Sequence, residues 1–106
     1  MRYQIRITPT ALSNAEEIYL WIKSGNLDAA NHWFNGLFEE IDSLGLMPKR
    51  CPVAPETLLV GVEIRCLLYK KDYRILYCIE DEKVTVYHIH HAARQYLTKE
   101  KFLLDS

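Results

Sequence analysis

The chain has 106 residues, 49% of them hydrophobic and 25% charged, with a formal net charge of −1. That is the balance of one globular domain spanning 1–106, not of a disordered chain or a globally basic nucleic-acid binder. Cys51, Cys66 and Cys78 are separated by 15 and 12 residues, so they spell neither a disulfide framework nor a paired-cysteine metal knuckle. A reducing cytoplasm is the expected compartment, and no stretch reaches the ~20 apolar residues of a membrane span.

The charge is unevenly spread. Residues 1–47 carry three bases against six acids, whereas residues 48–106 carry ten bases against eight acids. Arg65, Lys70, Lys71 and Arg74 face only Asp72 within one short stretch, a local basic patch.

Residues 2–7 alternate, with Tyr3, Ile5 and Ile7 on one face, and predict a first strand. Thr8-Pro9 reads as an N-cap followed by proline at the first helical position. The stripe Ala11, Ala15, Ile18 and Ile22 predicts a helix, and Gly25 is expected to stop it in the left-handed region. Asn26 or Asp28 can cap a second helix, whose stripe is Ala30, Phe34, Leu37, Ile41 and Leu44, with Gly45 and Pro48 closing it. Gly36 inside this helix predicts a close approach, expected from the first helix. The prolines between Met47 and Pro55 predict an extended loop. Three strands follow, from Val62, from Tyr73 to Ile79 and from Val84 to His90, linked by hairpin-sized turns. A helical tail is expected over 92–104. The fold class is therefore α+β, β-α-α-β-β-β, with a helical hairpin on one face of a mainly antiparallel four-stranded sheet.

Candidate chemistry gathers in the second half. Arg65 and Arg74 lie on neighbouring strands, so their guanidinium groups are expected near each other on the face the helices leave open, where two forks suit phosphate or carboxylate. The alternative is that each pairs with a nearby acid such as Glu63 or Glu80. Alternation puts His88 and His90 on one face and His91 on the other, which argues against a shared metal. A histidine at a strand end beside arginines can serve as general acid or base, although a structural histidine is the commoner case. Serine-nucleophile, phosphate-loop and dinucleotide fingerprints are absent, and no cofactor is expected.

The order of these elements and several particular residues resemble the RelE/ParE superfamily of toxins from type II toxin-antitoxin systems. The matching residues are Pro9 and Ala11, the helices ending at Leu44 and Pro48, and the loop Pro48-Lys49-Arg50-Cys51-Pro52. Beyond them come Glu63-Ile64-Arg65, Tyr73-Arg74-Ile75-Leu76-Tyr77, and Val84, Val86, Ile89, His91 and Arg94. The closing Ile89-x-His91-x-x-Arg94 is most similar to the ParE, or plasmid-stabilisation, branch. The resemblance implies a growth-inhibiting protein neutralised by a cognate antitoxin that wraps it, with a toxin-antitoxin hetero-oligomer as the assembly such wrapping allows. ParE-like members bind DNA gyrase and trap it on broken DNA. RelE-like members cut mRNA on the ribosome without metal. In that nuclease reading Arg65 and Arg74 would hold phosphate, Lys49, Arg50 and Arg94 would add RNA-binding charge, and His91 would transfer a proton. A third reading is an inactive antitoxin-binding or dimerisation module.

Overall fold

The computed structural model describes residues 2–92. Strand β1 (Gln4–Ile7) runs directly into helix α1 (Pro9–Lys23), and the junction is built as the sequence predicts. Buried Thr8 caps α1 by accepting from Ala11 N at 3.1 Å, and its hydroxyl donates to Tyr87 O at 3.2 Å. Helix α2 (Leu27–Ser43) begins with Asn26 as cap, accepting from Ala29 N at 2.9 Å. Gly25 does not take the left-handed conformation expected of it. Helix α1 closes instead on Ser24 with φ −61°, and the tight bonds Gly25 N–Ile22 O and Asn26 N–Ile22 O make the turn.

The sheet order is β1-β4-β3-β2, with β2 at Arg65–Tyr69, β3 at Tyr73–Glu80 and β4 at Lys83–His91. The three C-terminal strands pair antiparallel in succession, and β1 adds in parallel to β4. Both helices lie on one face and bury Ala11, Ala15, Trp33, Leu37, Ile41 and Leu44 against Leu67, Ile75, Tyr77, Val84, Val86 and Ile89. The close approach at Gly36 comes from Tyr69 on β2 and not from α1. A Cβ there would overlap the Tyr69 hydroxyl, which donates to Trp33 O at 2.9 Å.

Two segments depart from the expected extended loop. Pro48–Arg50 forms a 3-10 turn, and Glu56–Val60 forms a short helix, α3. Proline is readily accepted at such starts because its missing N–H has no intrahelical partner there. Five residues are too few for a helical period to emerge from the sequence. The β2 ladder also starts at Arg65 rather than Val62. The Thr57 hydroxyl accepts from Ile64 N at 2.9 Å and donates to Ile64 O at 3.1 Å, so α3 anchors this stretch of backbone.

The strap from 52 to 64 therefore covers part of the face that was expected to be bare. Ala54, Val60 and Ile64 pack on Cys66 and Leu76 as a second, smaller core. The tail expected over 92–104 lies, apart from Ala92, outside the described residues, as does Arg94.

Candidate functional site

A bulge in β4 decides which side chains share a face. Tyr77 pairs with Val86 and Leu76 pairs with His88, so Tyr87 is the extra residue. Without it, strict alternation from Val84 and Val86 would carry His88 and His90 onto the helix face. With it, Ile89 and His91 join that face, while His88 and His90 lie opposite with Leu76 and Arg74. The separation of His91 from His88 and His90 agrees with the alternation read from sequence.

Arg65 and Arg74 do not converge. Arg65 pairs with Tyr77 in the ladder and shares the helix face, whereas Arg74 pairs with Leu68 and points to the strap side. Their register levels, Arg65 and Leu68 on β2, are an odd three positions apart, which places the two arginines on opposite faces. Arg65 donates to Lys49 O at 3.1 Å and Cys51 O at 2.6 Å, and its Nη2 lies 3.1 Å from Glu63. It clips the 49–51 loop to the sheet edge. The Tyr77 hydroxyl, donating to Pro48 O, does the same from the next strand.

Arg74 meets Glu56 fork to fork, at 2.6 and 2.9 Å, with Glu56 fully buried and Arg74 7% exposed. Burial opposes ionisation of Glu56, but the hydrogen bonds and charge of Arg74 outweigh it, so the carboxyl stays below its usual range. His90 pairs with Arg74 in register and is buried beside the pair. Burial, then the Arg74 charge, push its pKa down, and its Nε2 has no hydrogen-bond partner among the described residues. Cys66, also on this face, is held as a protonated thiol by burial. Glu56 was not singled out in the sequence; the only signal for it was an acid following proline inside a loop.

The remaining basic candidates divide. Arg50 caps the C-terminus of α2, donating to Leu46 O at 3.0 Å, Ser43 O at 3.2 Å and Ser43 Oγ at 2.7 Å. A cation there satisfies helix-end carbonyls and the helix dipole. Lys49 beside it is exposed and lines a shallow depression with Tyr3, Met47, Pro48 and Arg50. His91 is exposed at the end of β4, and its ring meets Tyr73 edge-on at 5.3 Å. The five placed nuclease candidates thus divide: Arg65, Lys49 and Arg50 gather at the 3-10 turn, with both arginines engaged on backbone carbonyls, whereas Arg74 lies in a buried ion pair on the opposite face and His91 at the far end of β4.

His91 instead borders a groove between α1 and the sheet, lined by Glu17, Ile18, Trp21, Tyr73 and His91 and enclosing about 360 Å³. Trp21 is 74% exposed there. Among the described residues no group of His, Cys, Asp and Glu is placed to hold a metal ion, and no helix is long and apolar enough to cross a membrane.

Residues 5–96 match the sequence profile of the ParE toxin of the type II toxin-antitoxin system parDE. The chain belongs to the ParE toxin family. Two solved structures share the fold of this ParE-family toxin. One is the chromosomal ParDE toxin-antitoxin system from P. aeruginosa, at 12% identity and a TM-score of 0.68, covering 85% of this chain and 96% of that one. The other is the toxin-antitoxin complex RelBE2 from Mycobacterium tuberculosis, at 26% identity and a TM-score of 0.51, covering 89% and 95%. No curated protein matches this toxin significantly in sequence. Family membership places it among type II toxins, as the residue pattern implies.

Proposed function

We propose that this toxin arrests growth as a binding inhibitor of DNA gyrase, trapping the enzyme on broken DNA, and that a cognate antitoxin neutralises it. The observation that carries the choice of target is the separation of Arg74 and of His91 from the basic group Arg65, Lys49 and Arg50. A metal-independent ribonuclease needs phosphate-holding cations and a proton-transfer group around one scissile phosphate. Here Arg65 and Arg74 occupy opposite faces and Arg74 is neutralised by Glu56. An inhibitor that works by occupying a surface needs no such convergence. The antitoxin partner is supported by the family and by the two neighbours, both described as toxin-antitoxin systems or complexes.

Induced expression tests the reading. Growth arrest with intact messages and accumulating protein-linked, cleaved DNA is the expected outcome, reproduced with purified gyrase and plasmid. Arrest with messages cut on ribosomes, abolished by His91→Ala or Arg65→Ala, would replace it with the ribonuclease reading. A chain that arrests nothing would be an inactive antitoxin-binding module.

A further inference from the structure

The groove beside His91 has a construction that its apolar lining alone does not explain. Its floor is fixed: the Tyr73 ring is held edge-on between Trp33 at 5.1 Å and His91 at 5.3 Å, and Tyr73 and His91 are register partners at the ends of β3 and β4. Its wall is the face of α1 where Glu17 and Trp21 stand four residues apart, hence one above the other. Trp21 leaves three quarters of its surface in water, an unusual state for the residue type most often found at binding hot spots. The Glu17 side chain has no ion pair or hydrogen bond among the described residues. The exposed Trp21 ring and the Glu17 carboxylate beside one opening, with Tyr73 and His91 opposite, can take a planar cation, with Ile18 supplying apolar surface for the stem.

We infer that this groove receives an arginine side chain of a partner peptide, with the guanidinium stacked on Trp21 or Tyr73 and paired with Glu17, and an apolar residue of the peptide beside Ile18. The planar fork suits this site better than an ammonium, because it can stack and bond a carboxylate at once. Glu17, the carboxylate among the lining residues, fits a basic occupant. As to the source of the arginine, the inference rests on the antitoxin reading above; the groove itself is independent of whether gyrase is the target.

The test titrates the full-length chain with the peptide acetyl-Ala-Leu-Arg-Leu-Ala-amide and with its citrulline counterpart, which keeps the planar shape but loses the charge and exchanges one NH2 donor group for a carbonyl acceptor. The readout is the Trp21 indole N–H resonance. A saturable shift is expected with arginine, at least about tenfold weaker with citrulline and in Glu17→Gln. Leu58→Ser, on the strap side, serves as an unaffected control. Equal binding of both peptides, an unchanged affinity in Glu17→Gln, or no saturable response would overturn the inference. Growth arrest without a peptide response removes the groove assignment and leaves the toxin reading standing. A peptide response in a chain that causes no arrest does the reverse.

Discussion

Replacing Glu56 with glutamine probes the contact that fastens α3 to the sheet. The carboxylate is fully buried and engages both Nη atoms of Arg74 at 2.6 and 2.9 Å, so Glu56→Gln leaves a guanidinium that is 7% exposed without its counter-charge. Breaking one side of such a pair costs about 3–5 kcal/mol. A chain of 106 residues unfolds with an entropy of about 220 cal/mol/K, so each kcal/mol lowers Tm by roughly 4.5 °C and the expected fall is about 13–22 °C. Circular dichroism melts at pH 7.5 and urea midpoints measure it. The companion variant, Glu56→Met with Arg74→Met, removes both charges and keeps apolar volume, and should come within about 2 kcal/mol of the parent. A single variant that loses less than about 4 °C, or a double variant that loses at least as much as the single, would refute the assignment of a buried, mutually dependent pair.

Acid should destabilise the fold in two stages. Buried His90 titrates below 6.5 when folded, so the unfolded chain takes up the proton first and stability declines as pH falls from about 6.5, a slope that His90→Gln should flatten. Glu56 titrates below 4.5 when folded, so the stability it lends is present above 4.5 and is lost as pH falls further, a stage that Glu56→Gln should remove in melts recorded across pH. Gly36→Ala should destabilise despite alanine's helical preference, because its Cβ would meet the Tyr69 hydroxyl; in a Tyr69→Phe background the same change should become neutral or stabilising by up to about 1 kcal/mol in denaturant titrations. Thr8→Ala should cost about 1–2 kcal/mol, since it removes both the α1 cap and the bond to Tyr87 O, and equal stability of this variant would contradict that role.

Much of the fold was legible residue by residue because the signals are local. Thr8-Pro9 capped its helix as read, Asn26 capped the next, and the β-α-α-β-β-β order and consecutive pairing of the last three strands follow from hydrophobic period and short turns. The misreadings share a cause. Gly25 was read as a left-handed stop from its residue type, yet its neighbours turned the chain with ordinary dihedrals. Gly36 announced a close approach without identifying Tyr69, which is 33 positions away in sequence. The α3 strap was hidden because five residues carry no period and proline reads first as a breaker.

The candidate site was legible as residue types and not as a constellation. Strand alternation separated His91 from His88 and His90, but the parity of Arg65 and Arg74 across a turn, and the extra residue at Tyr87, decide which side chains meet. Composition, period and family pattern determined by themselves that this is a small α+β toxin of the ParE family, because burial and capping act over a few residues and leave a periodic trace. Only the tertiary structure decided that Arg74 belongs to a buried pair with Glu56 and that His91 borders an aromatic, acid-lined groove. A one-residue change of register turns a side chain through the sheet, and nothing local in the sequence records it.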